Sequence, residues 1–439
     1  MHNSNRHQSF ILLFLLITTT ACSVLPSNPP EVPQPPAKPE LPSPQPVEPI
    51  SFEPVDEAHL QDLAEGNTRF ALDLYRQMQD GGGNLFFSPY SISLAMAMTY
   101  VGARSNTEQQ MADVLNFFEQ ETFHPAVAML NSDMMSRAEA VQDRDMQGFQ
   151  LNIANSIWGQ DGYAFQPAFL DILSDHYGAG MQLVDYINDP EGARKQINAW
   201  VEDETEDKIK DLIPQGVLDG LTRLVLANAI YFNAAWEHQF EESFTRDAPF
   251  NLLDGNSVDV PMMAQREAFG YAEVDGLQII ELYYEGREAS MVIFLPDTES
   301  YTAFEDELDN ETMAEMLSAL QPRQLELFMP KFTFESEFEL VPTLTALGLQ
   351  DPFNPQVADF SGMDGTRELY ISNILHKAFV DVDEEGTEAA AATAVVMKMT
   401  SAMPEEPLLV RIDHPFIFLI KDNQTGSILF MGRVLDPRE

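Results

Sequence analysis

The chain has 439 residues, with 70 acidic and 24 basic side chains and a formal net charge of −46. That charge excludes a nucleic-acid partner, because phosphate contacts need clustered Lys and Arg. The single Cys excludes an intrachain disulfide framework and a Cys-based zinc or iron–sulfur site. Apolar residues make up 44%, enough for a sizeable core, and no apolar run reaches the ~20 residues of a membrane-spanning helix. Only eight residues are Lys; a saline habitat and a merely soluble acidic surface account for this equally well.

Phe10 to Ile17 are apolar without a break, Thr18 to Ala21 are small, and Cys22 follows. A short apolar run followed by small residues predicts a cleaved export signal over 1–21. Thr19-Thr20-Ala21-Cys22 resembles a bacterial lipobox, which implies that Cys22 is lipidated and becomes the mature N-terminus; the alternative is an ordinary signal peptide with an incidental Cys. Residues 22–54 form a linker, with eleven prolines between Pro26 and Pro49. This composition favours an extended polyproline-like spacer, which at ~3.1 Å per residue spans several tens of Å; the plainer reading is a leader with no spacing role. The expected location is exported, either lipid-anchored to the cell envelope (outer membrane or cell surface) or secreted.

Residues 55–439 contain no second Pro-rich break and no internal repeat, so they are expected to form one domain. Leu63, Phe70, Leu74 and Met78 make a helical stripe within His59 to Met78, ended by Gly81-Gly82-Gly83. Ser88-Pro89 is a cap-and-start signal for a helix over Ser91 to Tyr100. Leu224 to Phe232 is a run of strand formers that reads as a central strand buried on both faces. Strands are also expected at 278–284, 291–295, 325–334, 408–412, 416–420 and 428–434. Helices in the first half and strands in the second, mixed in one unit, predict an α+β fold.

The chain carries none of the common phosphate-binding, zinc-protease or nucleophile-elbow motifs, and its eight His are scattered, so no catalytic residue, metal site or cofactor is expected. The unusual segment is 386–403. Four consecutive alanines favour helix, Val395-Val396 favours strand, and Gly386 permits an unusual turn. Taken with period two, Thr387, Ala389, Ala391, Thr393, Val395 and Met397 carry no charge, while the alternate set is charged only at Glu388 and Lys398. Loop-like flanks therefore enclose the pattern of a buried strand. The alternatives are an ordinary helix or a poorly protected loop, against a loop made to insert later into a sheet.

The stretch Glu384-Glu385-Gly386-Thr387-Glu388-Ala389-Ala390-Ala391-Ala392-Thr393 resembles the reactive-loop hinge of inhibitory serpins. Asn84 to Ser93, Asn228 to Phe232 with Trp236, Met329-Pro330-Lys331-Phe332, His376-Lys377-Ala378, Asp413 to Phe418 and Phe430 to Val434 resemble further family motifs, in order along the chain. The resemblance implies a single serpin domain, with helices packed around a large central mixed sheet and smaller sheets, and an exposed reactive loop. It also implies a monomeric inhibitor that is no enzyme. A serine protease attacks the loop, and the cut loop inserts into the main sheet before the acyl-enzyme is released.

Carried over residue by residue, the resemblance makes Gly386, Thr387, Glu388, Ala389, Ala390, Ala391 and Ala392 the hinge. Ser88, Ser91, Asn228 and His376 become a polar cluster where the sheet parts. Glu384, Lys331 and Trp236 surround the point of insertion, with Glu384–Lys331 an ion pair whose implied role is gating, since an exposed pair would contribute only ~0–1 kcal/mol. Counting along the loop puts the reactive bond at Thr400–Ser401. Thr400 suits a small elastase- or subtilisin-like pocket; Met399 would suit a chymotrypsin-like and Lys398 a trypsin-like one. The segment after Ser401 is longer than the family pattern. A non-inhibitory serpin acting as a surface binding or chaperone-like protein is the competing reading.

Overall fold

Asp56 opens the first helix, α1 (Glu57–Met78), by accepting the N–H groups of Ala58 and His59, while His59 returns a bond to the Asp56 N–H. Ser88 does the same for α2 (Pro89–Tyr100), where its side chain accepts Ser91 N–H and Pro89 takes the first helical position. Such caps are each worth ~1 kcal/mol, and they set these two helix starts close to where the residue pattern predicts them. In the computed structural model, residues 54–142, 149–178, 180–387 and 406–439 are described, and all of them fall in one compact unit. Cys22, the signal segment, most of the linker and residues 388–405 lie outside the described residues.

Four further helices in the first half are α3 (Ser105–Leu115), α4 (Gln120–Gln142), α5 (Pro167–Tyr177) and α6 (Pro190–Glu204). The strands are β1 (Leu85–Phe87), β2 (Phe149–Gln160), β3 (Met181–Val184), β4 (Leu224–Ala235), β5 (Arg246–Asn251), β6 (Ser257–Val274), β7 (Leu277–Tyr283), β8 (Ala289–Leu295), β9 (Gln321–Pro330), β10 (Phe332–Glu339), β11 (Ile371–Val382), β12 (Gly386–Thr387), β13 (Leu408–Arg411), β14 (Phe416–Asp422) and β15 (Ile428–Val434). They build two sheets. One runs β1-β15-β14-β8-β7-β6-β9-β13 with β5 on β6; the other runs β10-β11-β12-β4-β2-β3. This is the expected α+β architecture, helices around a large mixed sheet and a second sheet.

The strand expected over 325–334 is in fact two. Gln321–Pro330 belongs to the nine-stranded sheet and Phe332–Glu339 to the six-stranded one. The chain changes sheet at Lys331, whose N–H donates to the Pro261 carbonyl. Apolar alternation continues through both strands, so periodicity is blind to the change of partner.

β4 is buried along both faces, as a central strand should be. Leu224, Leu226, Ile230, Phe232 and Ala234 face the inner cores shared with the second sheet, while Val225, Ala227 and Ala229 face a separate core with α6, built around Ala193, Ile197 and Val201. Among the described residues no helix is long and apolar enough to cross a membrane.

Candidate functional site

The six-stranded sheet has a seam between β4 and β11. Over its lower part the two strands pair directly and in parallel, from Ile371 with Leu224 up to Ala378 with Ile230. Above that they diverge. At the upper end β12 lies between them, antiparallel to both: Thr387 pairs with Val382 and with Ala234, and Gly386 with Ala235. The sheet is closed below and already wedged above.

The first two hinge residues are therefore not part of an exposed loop, contrary to expectation. Thr387 is 1% exposed, and its hydroxyl lies 2.8 Å from the Tyr284 hydroxyl. A side chain at 386 is impossible in this seat: a Cβ there would stand 2.1 Å from the Ala234 carbonyl oxygen. Glycine is needed for close approach, not for a left-handed backbone.

A tight turn delivers the chain to the seam. The Asp383 carboxylate accepts the N–H groups of Glu385 and Gly386 at 2.9 and 3.2 Å. Trp236 fastens the turn to the end of β4: its indole donates to the Asp383 carbonyl at 3.0 Å and its backbone N–H to the Glu385 carbonyl at 2.9 Å. The indole stacks on Tyr284 at 4.7 Å with the rings 8° apart. Trp236, Tyr284 and Thr387 thus form one packed column, so the Trp is more than core filling.

Glu384 meets Lys331 Nζ at 2.5 Å and Thr245 Oγ1 at 2.6 Å. The pair is buried at one end only: the Glu384 side chain is 8% accessible and that of Lys331 35%. Burial pushes this carboxyl up, but the bonds from Lys331 and Thr245 outweigh it and hold it below its ordinary range. Burial pushes Asp383 up, and Glu385 is raised by desolvation and by the charges of Asp383, Glu242 and Glu384. One buried carboxylate is held ionised among neighbours that resist ionisation, which ties the turn to Lys331 by charge as well as by hydrogen bonds.

Lower down the seam, Ser88, Ser91, Asn228 and His376 come together, each with no accessible surface. His376 stands opposite Asn228 in the β4–β11 register. Ser88 N–H donates to His376 Nε2 at 3.1 Å, and Ser88 Oγ donates to the Leu429 carbonyl at 2.6 Å. Nε2 is therefore the acceptor, the ring proton sits on Nδ1, and Nδ1 donates to Asn228 Oδ1 across the seam. The Asn228 amide nitrogen donates to Ser91 Oγ at 2.7 Å and to Asn155 Oδ1.

Asn155 is a member that sequence reasoning missed. It stands opposite Asn228 on β2, and its amide donates to the Ser91 carbonyl at 3.0 Å. Its only signal was a polar residue inside the otherwise strand-like run LNIANSIW. Full satisfaction makes the network strong, and every member is buried or half-buried. Parting β4 from β11 breaks its His376–Asn228 link.

A family model described as Serpin (serine protease inhibitor) matches residues 65–437. The chain belongs to the serpin family. Human leukocyte elastase inhibitor is 40% identical to this serpin over 389 residues, covering 86% of this chain and 100% of that protein. Among solved structures, uncleaved ovalbumin superposes with a TM-score of 0.76 at 26% identity, covering 85% of this chain and all of the other. Serpin48 of the insect Tenebrio molitor gives 0.74 at 31% identity, covering 88% and all of it. The protein is a serine protease inhibitor of the serpin fold, not an enzyme. Of the residues that sequence reasoning assigned to this serpin's site, the insertion-point trio, the four-residue cluster and the first two hinge positions are brought to the seam. Glu388 to Ala392, the bond Thr400–Ser401 and Cys22 lie outside the described residues.

Proposed function

We propose that this serpin traps an elastase-like serine protease by a suicide-substrate route. The reactive loop is cut at Thr400–Ser401 and then zips into the seam from the two residues already seated there. The observation that carries the reading is β12, a nucleus in register with both β4 and β11. Continuing that antiparallel register sets Ala389 between Val380 and Phe232, Ala391 between Ala378 and Ile230, and Thr393 between His376 and Asn228. Each of these falls on the face of Thr387, toward the inner core. The alternate positions Ala390, Ala392 and Ala394 fall opposite Tyr231, Ala229 and Ala227, beneath the α6 core. Both faces of the incoming strand are then buried, so the four alanines are as much a fit to the α6 side as to the inner one.

Thr400 as the residue read by the protease favours a small pocket of elastase or subtilisin type, with a chymotrypsin-like pocket at Met399 as the second choice. The names of the leukocyte elastase inhibitors among the relatives support the first. Attachment to the cell envelope through lipidated Cys22, with the Pro-rich segment as spacer, rests on the sequence pattern; so does action as a monomer.

The test is incubation with elastase, subtilisin, chymotrypsin and trypsin. An SDS-stable complex with a small-pocket protease, and a released peptide whose mass begins at Ser401, is the expected result. Rapid cutting with no complex for any protease would instead favour a non-inhibitory surface protein. A peptide beginning at Thr400 would move the bond by one.

A further inference from the structure

The network under the seam contains one titratable side chain, His376. Its ring is wholly buried, with Nε2 accepting Ser88 N–H and Nδ1 facing Asn228 Oδ1. A second proton has to go to Nε2, where it would oppose another N–H donor at 3.1 Å.

Among the described residues no charged group faces the ring. β10 presents Phe338, stacked at 6.3 Å; α2 presents Ser88 and Ser91; β4 and β2 present Asn228 and Asn155; the Ser88 hydroxyl is turned to the Leu429 carbonyl of β15. The adjacent Lys377 lies on the other face of β11, against Glu335 at 3.1 Å, Glu337 at 3.9 Å and the Lys210 carbonyl at 3.3 Å. Among the described residues the closed seam therefore offers no acceptor for the Nε2 proton of an imidazolium, whereas a parted seam that admits water does.

We propose that His376 makes the seam acid-sensitive: a proton on Nε2 opposes Ser88 N–H, the ring can find an acceptor for it only by leaving its seat, and β4 and β11 part, so that acid promotes loop insertion without any protease. The inference rests on the reading that the loop inserts at this seam.

Linkage gives its size. Burial pushes the ring from its ordinary 6.5 down to about 3 in the closed state. The closed form's advantage is complete above the ordinary value and falls tenfold per pH unit between there and about 3. From about pH 7.5 to about 5.0 the parted population rises about 30-fold.

The experiment follows the intact chain at fixed temperature without protease, as it converts to a heat-resistant form that no longer inhibits. The expected rate is about 30-fold higher at pH 5.0 than at 7.5, rising with a one-proton slope. His376→Gln keeps a donor and an acceptor but does not titrate, and its rate is expected to stay flat. His124→Gln alters another fully buried histidine, also held down to about 3, away from the seam; it is expected to keep the slope. A flat wild-type rate overturns the proposal even if His376→Gln fails to fold. A slope that disappears in His124→Gln and persists in His376→Gln overturns it too. If nicking the loop in wild type yields no heat-resistant form, the insertion reading itself fails, and this inference with it.

Discussion

Replacing Thr387 by Arg tests the zipper at its first tooth. The Thr387 hydroxyl meets Tyr284 and its backbone pairs with Ala234 and Val382, and among the described residues no carboxylate is bonded to its side chain. Seating Arg there takes a charge out of water without a partner, a cost of several kcal/mol. Holding the strand out instead forfeits the Tyr284 bond and the pairing of two residues, each hydrogen bond worth about 1 kcal/mol net. The smaller loss wins, so β12 should leave the seam while the rest of the fold stays intact. Insertion must then begin by burying the Arg. An added barrier of about 3 kcal/mol slows it about 150-fold, while attack on a bond thirteen residues away is unaffected. Deacylation then outruns insertion, and the variant should be cut as a substrate with little stable complex. Glu388→Arg is the control. Residue 388 lies outside the described residues; an inserted strand that continued the β12 register would set it opposite Asn233 and Asp381, both half-buried on the other face, where an Arg would meet the Asp381 carboxylate. The assay is the stoichiometry of inhibition against elastase for both variants. Equal behaviour of the pair, in either direction, would refute the register argument.

Gly386→Ala should also unseat β12, because its Cβ meets the Ala234 carbonyl oxygen at 2.1 Å; a slower insertion rate with an unchanged far-ultraviolet spectrum is expected, and an unchanged rate would show that the close approach does not matter. Thr400→Arg should move inhibition toward trypsin-like proteases, measured as association rates across the panel; if Met399→Arg does so instead, the bond is one residue earlier. Cys22→Ser should turn a membrane-pelleting protein into a soluble one, since stable attachment needs more than one acyl chain and a lipidated N-terminal Cys supplies several; a variant that still pellets would end the lipid-anchor proposal.

Local chemistry determined much of this protein. The helix caps at Asp56 and Ser88 and the doubly buried run from Leu224 were legible because capping, period and apolar length act over a few residues. The family motifs also named Trp236, Glu384, Lys331, Ser88, Ser91, Asn228 and His376 before their contacts were visible. What the chain pattern left undecided was partnership. The run 325–334 alternates smoothly across a change of sheet at Lys331, because apolar periodicity records that a face is buried and not what buries it. Asn155 joined the polar cluster only through the β2–β4 register, and the Glu384 end of its pair with Lys331 proved buried because Thr245 and the turn at Asp383 close around it. Gly386 and Thr387 form a seated strand for the same reason. Whether a hinge lies in the seam depends on β4 and β11 diverging beyond Ile230 and Ala378, two strands almost 150 residues apart in sequence, and such a gap exists only once both have been packed against the cores they share.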